Sequence, residues 1–138
     1  MQRQRRLKLA AVLVAMAMTG GCAATVLMGL GGLAALGSYK WVEGTMEKDY
    51  PKSMQETFNA ALEAAKKLNL KITAQKYAPS ESHIDAVTQD GTKVTVDLIA
   101  RPNNITTVKI RFGLMGNADW SGYYHRQIMK ILNIPDQP

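Results

Sequence analysis

Few residues in this chain have side chains that could do polar chemistry. His83 and His125 are the only histidines. With Asp119 they would form the minimal set for a small hydrolase or a metal-handling protein, two imidazoles and a carboxylate acting as bases or ligands. Their separation shows no metal-ligand spacing, and each reads more simply as solvent-facing: His83 two residues from Asp85 on a strand, His125 beside Arg126 on a helix. Ser80, Ser82 and Ser121 lie in no Gly-x-Ser-x-Gly elbow and read as turn and cap residues. One Cys and two His cannot build a structural zinc site or a disulfide framework. The chain is therefore expected to have no catalytic residue, no metal and no small-molecule cofactor.

Trp120, Tyr123 and Tyr124 form the one aromatic cluster, which Trp41 can approach across a sheet. Rings grouped in this way can stack on a sugar or a peptide at the rim of a pocket. Trp120 and Tyr124 are four apart, so they share a helix face as core residues do, and Tyr123 is left pointing elsewhere. Trp41, Trp120 and Tyr123 make up the candidate binding surface.

The 138 residues carry 17 Lys and Arg against 11 Asp and Glu, a net charge of +6. Arg3, Arg5, Arg6 and Lys8 supply four of those cations, so the rest of the chain is nearly balanced and has no basic surface for nucleic acid. Behind the cationic end, residues 9–18 form an apolar run of export-signal length, followed at once by Thr19-Gly20-Gly21-Cys22. Small residues before a cysteine let the chain lie extended in a signal peptidase, and a thiol at the first mature position can be alkylated by a diacylglyceryl group. On these residues the N-terminus resembles that of bacterial lipoproteins, with Thr19 standing where the family usually has Leu. The resemblance implies cleavage between Gly21 and Cys22, thioether modification of Cys22 and acylation of the new amino terminus. Enteric-type lipoproteins retained in the inner membrane carry Asp after the cysteine; Ala23 implies transfer to the outer membrane, facing the periplasm.

Residues 9–36 carry no charge at all, which exceeds the roughly 20 residues that span a bilayer. A single-pass inner-membrane subunit of a larger complex is therefore the alternative, with Gly29, Gly31, Gly32 and Gly37 weighing against a helix there. In both cases the cationic end stays in the cytoplasm and the chain beyond Leu36 is exported. The expected organisation is a signal peptide over 1–21, a Gly/Ala-rich membrane-proximal arm over 22–38 and a small α+β domain over 39–138.

Within that domain, residues 39–48 alternate as a first strand with a bend or bulge at Gly44. A helix comes next, starting at Pro51 or at the Ser53/Glu56 capping box, with Met54, Phe58, Ala61, Leu62, Ala65 and Leu68 on its buried face and Asn69 as its stop. Leu70, Ile72 and Ala74 mark a half-buried strand. Around Asp90-Gly91, a three-residue loop of Gln89, Asp90 and Gly91 pairs 86 with 94 and 84 with 96, keeping Asp85, Lys93, Thr95 and Asp97 on the polar face. A two-residue turn would put Asp85 beside Val96 in the core. Val108, Ile110 and Phe112 point inward from the next strand. A last helix, capped by Asn117 or Asp119, buries Trp120, Tyr124, Ile128, Ile131 and Leu132. The predicted fold is α+β: an antiparallel sheet of four to five strands with two helices on one face, preceded by an N-terminal hydrophobic signal or anchor helix.

Tyr39, Gly44, Tyr50-Pro51, the Ala61-Leu62 and Ala65 face, Leu68 with Leu70, Asp90-Gly91 and Ile110-Arg111-Phe112-Gly113 together resemble a family of small bacterial lipoproteins of unknown function. The resemblance implies an exported, membrane-anchored, non-enzymatic domain and supplies no ligand. The expected partners are the membrane, through the lipid anchor, and an envelope protein.

Overall fold

The computed structural model describes residues 38–136. The expected signal peptide, the lipidation position Cys22, the cleavage position Gly21, the hydrophobic N-terminal helix and all but the last residue of the arm lie outside the described residues. Eight elements succeed one another: β1 (Lys40–Val42), β2 (Thr45–Tyr50), α1 (Met54–Lys67), β3 (Lys71–Lys76), β4 (Glu81–Val87), β5 (Lys93–Arg101), β6 (Ile105–Phe112) and α2 (Ala118–Ile131). The strands form one antiparallel sheet in the order β1-β2-β6-β5-β4-β3. Both helices pack on its apolar face, and Ile84, Leu98, Ile110, Tyr124 and Ile128 are wholly buried between them. No helix among the described residues is long and apolar enough to cross a membrane.

The sheet has six strands, not four to five, because the segment expected to be one strand is a hairpin. Glu43 and Gly44 both take positive φ (47° and 81°), as a two-residue turn requires, and Lys40 then pairs with Glu47 and Val42 with Thr45. The central hairpin has the expected register. Ala86 faces Val94 and Ile84 faces Val96, and the loop closes through Thr88 N–H to Thr92 O (3.0 Å) with Gly91 at φ 87°. Strand β3 departs from its expected alternation. A register shift between Ile72 and Ala74 turns Ala74 outward to pair with Asp85, so the strand is exposed almost throughout, as suits an edge carrying Lys71 and Lys76.

Helix α1 starts at Ser53, not at Pro51: the Ser53 side chain accepts from Glu56 N–H, and Glu56 reaches back to Ser53 N–H at 3.2 Å. Its buried face is rotated toward Thr57, Ala60 and Ala64, leaving Leu62 and Leu68 half-buried. This helix must fit both the sheet and α2, and alanines permit that close approach. Tyr124 Oη of α2 donates across the crossing to Ala61 O at 2.8 Å. Both helices end alike, with Asn69 and Asn133 left-handed (φ 55° and 53°). Leu70 N–H then bonds Ala65 O, and Ile134 N–H bonds Met129 O.

Helix α2 is pinned to β2 by a histidine expected to face solvent. His125 is wholly buried, because the apolar stripe of α2 runs through Ser121, Tyr124, His125, Ile128 and Met129. Its Nε2 lies 3.1 Å from Met46 O, which can only accept, so Nε2 carries the proton and Nδ1 accepts from Tyr50 Oη at 2.7 Å. Tyr39 meets the ring edge-on at 5.6 Å, and buried Lys48 places Nζ 4.4 Å from the Tyr39 ring centre. Desolvation by burial pulls the imidazole pKa from 6.5 down to about 3, so the folded protein keeps it neutral.

Below its ordinary pKa of 6.5 the unfolded histidine takes up a proton that the folded one refuses, so this group makes stability fall as pH drops. Denaturant titrations should show a loss on the order of 3 kcal/mol from this site between about pH 6.5 and about pH 4. In His125→Gln that share of the slope should be absent.

Candidate functional site

Two surfaces stand out once the fold is assembled. The first is the open face of the sheet, where the strand pairings line up Lys40, Glu47, Lys109, Asp97, His83 and Lys76 in one row across all six strands. Lys109 Nζ is 3.0 Å from Glu47 Oε1. His83 Nδ1 is 2.5 Å from Asp97 Oδ1, and Nε2 is 3.1 Å from Asp85 Oδ2, with Lys93 Nζ a further 3.6 Å from Asp85 Oδ1. The hydrogen bond to Asp97, followed by that to Asp85, raises the His83 pKa. His83 and then Lys93 hold Asp85 below the usual carboxylate range.

The two nitrogens of His83 point in opposite directions and each meets its own carboxylate, so the three groups do not converge on a point where a metal would sit. Among the described residues, no group of three or more His, Cys, Asp or Glu is placed to hold a metal ion. His83 and His125 lie on opposite sides of the sheet, and Asp119 lies on the first turn of α2. The structure therefore does not bring these three residues together. Ser82 is in the turn chemistry expected of it: its Oγ donates to Ala78 O at 2.9 Å and accepts from Ala78 N–H at 3.0 Å. Ser121 is buried, and its hydroxyl finds no partner among the described residues.

The second surface is apolar and lies at the end of the sheet where β6 passes into α2. Among the described residues, exposed Leu114, Met115, Trp120 and Tyr123 belong to it and Trp41 flanks it, whereas Tyr77 leans on Phe58 and Val42 shares the open face of the sheet with Lys40. Leu114 and Met115 are 86% and 84% exposed on the loop between Gly113 and Gly116. Trp120, expected in the core, is 53% exposed, because the buried stripe starts one residue later at Ser121. Its ring lies 6.1 Å from both Phe112 and Tyr123, and the Arg126 guanidinium is 5.7 Å from the Tyr123 ring.

Trp41 and Val42 are half exposed on β1, and backbone contact ties them to the loop. A Cβ on Gly44 would fall 2.5 Å from Met115 O, and one on Gly116 would strike Gly44 O. Only glycines let the β1–β2 turn and the β6–α2 loop touch. Trp41 pairs with Met46, whose Sδ lies under Gly122 of α2, so the tryptophan flanks the first turns that carry Trp120 and Tyr123. The candidate trio of Trp41, Trp120 and Tyr123 thus shares one end of the domain. Sequence reasoning missed Leu114 and Met115; the available signal was two apolar residues bracketed by glycines outside any alternating or helical pattern. Beside them opens a groove of about 730 Å³, walled by Leu68, Leu70, Phe112 and Trp120 and rimmed by Thr88, Asp90 and Asn117.

The carboxylates beside His83 stabilise its charged form, so proton NMR should place its titration above 6.5. Its contribution to stability is present below the unfolded value and is lost as pH rises through the raised one, opposite in sign to that of His125. In Asp97→Asn the titration should move back down; an unchanged value would mean the pair is not formed in solution.

A family model described as "Protein of unknown function (DUF3568)" matches residues 6–131, from the cationic N-terminus to the last turn of α2. No curated protein matches the chain. With the hairpins, both helices and the apolar end all inside the matched span, the chain belongs to the DUF3568 family of proteins of unknown function.

Proposed function

We propose that this protein is a membrane-anchored lipoprotein facing the periplasm, outer membrane favoured over inner, whose domain binds an envelope component and catalyses no reaction. The observation that carries this reading is the gathering of exposed Leu114, Met115, Trp120 and Tyr123, flanked by Trp41, at one end of the domain. Scattered apolar residues are normal on a surface, whereas a contiguous patch marks a place where something else docks. The anchor is supported by the cationic end, the apolar run over 9–18 and Gly20-Gly21-Cys22. Fatty chains on Cys22 would each contribute about 0.8 kcal/mol per buried methylene, so two or more hold the protein firmly at the surface. Confinement there raises the effective concentration of the domain for any membrane-held partner. The uncharged run over 9–36 favours a second reading, a single-pass subunit of an inner-membrane complex.

Intact mass of the membrane-extracted protein separates the two. The lipoprotein reading expects a chain lacking residues 1–21 and heavier by a diacylglyceryl and an acyl group, with Cys22→Ser remaining full length and unmodified. A full-length native protein with a free Cys22 thiol would establish the membrane-spanning reading, and a soluble, unmodified mature protein would contradict both.

A further inference from the structure

We infer that the apolar end of the domain is a second membrane contact, with Leu114 and Met115 inserted among lipid acyl chains and Trp41, Trp120 and Tyr123 at headgroup level. This inference rests on the anchored reading above and names the bilayer as the occupant of its apolar surface. Three observations select a bilayer. The first is chain continuity: the lipidated position Cys22 stands 18 residues before Lys40, so the anchor keeps β1 within about 65 Å of the membrane that holds it. A tether of that length lets the β1 edge, and the loop that touches it through Gly44 and Gly116, reach the same membrane.

The second is side-chain chemistry. The two most exposed large hydrophobics are on the β6–α2 loop, and Trp120, which lines a groove with them, and Tyr123 beside it are of the residue types enriched at membrane interfaces. The third is the treatment of polar groups. The Leu114 carbonyl, which would be costly to carry into an apolar phase unbonded, accepts a hydrogen bond from Arg111 Nη2. Arg111, through this bond, and Arg126, whose guanidinium is 5.7 Å from the Tyr123 ring, both stand at the patch, where phosphate headgroups would meet them. Long basic side chains can extend from such a surface to the headgroup layer.

Trp41 and Trp120 are the only tryptophans in the chain, so intrinsic fluorescence reports this surface alone. The full-length protein, extracted with its native modification, would be reconstituted into phosphatidylethanolamine/phosphatidylglycerol vesicles with and without brominated acyl chains. Flotation would be followed alongside emission. The expected result is loss of tryptophan emission in the brominated vesicles, retained in Trp41→Phe and in Trp120→Phe. Leu114→Ser combined with Met115→Ser should lose that quenching yet float unchanged; both positions are exposed, so the core is untouched. Flotation without quenching, whether the patch lies in water or under a second copy of the chain, overturns this inference and leaves the anchor standing. Undiminished quenching in the double variant overturns the insertion assigned to the loop. Failure of the native protein to float overturns the anchor and the inference together.

Discussion

The arrangement of the apolar end depends on one buried imidazole. His125 donates to a backbone carbonyl of β2 and accepts from Tyr50 of the same strand, so α2 has a fixed position along β2 as well as a side facing it. Apolar packing alone is non-directional and would tolerate sliding of a helix on a sheet. Two hydrogen bonds inside a dry core do not, because breaking them leaves polar groups unsatisfied at a cost of about 1 to 3 kcal/mol each. With α2 fixed there, Trp120 stacks beyond the end of the core on Phe112, and Gly122 passes over Met46 beside Trp41.

The sheet then divides the work between its surfaces. Its inner face, from Ile84 to Ile110, is buried by two helices. Its outer face alternates charges across the strands and neutralises them locally, as between Glu47 and Lys109 or around His83. Exposed pairs of this kind add little stability, and they make the face soluble without giving it one sign. Edge strand β3 carries lysines and a bulge, features that discourage pairing with another strand. The end of the domain where the β1–β2 turn meets the β6–α2 loop is the part left apolar and uncovered.

Much of this is legible in the sequence where period and turn chemistry act locally. The register of the central hairpin comes from keeping Asp85 out of the core, and Asn69 and Asn117 mark a helix stop and a helix cap because their side chains and left-handed tolerance suit those positions. The features that sequence reasoning misplaces are decided by contacts distant along the chain. Glu43-Gly44 reads as a bulge until the loop at Met115 is known to press on it, and Trp120 fits a helical stripe whose true phase is set by where β2 lies. His125 reads as solvent-facing because imidazole is polar; its burial needs Tyr50 and Met46, some 75 residues away. The candidate trio at positions 41, 120 and 123 is nameable from ring chemistry, whereas Leu114 and Met115 have no periodic signature.

The orientation of the domain on the membrane is the central claim, and paramagnetic broadening tests it most directly. Backbone amides of the full-length protein would be recorded in nanodiscs containing a lipid with a gadolinium-chelating headgroup. The β5–β6 turn lies at the other end of the strands from Leu114, the length of β6 or about 23 Å away. The account predicts the strongest broadening at Trp41, Leu114, Met115 and Trp120, with residues 101–105 spared; broadening that is uniform, or strongest at the β5–β6 turn, would contradict it.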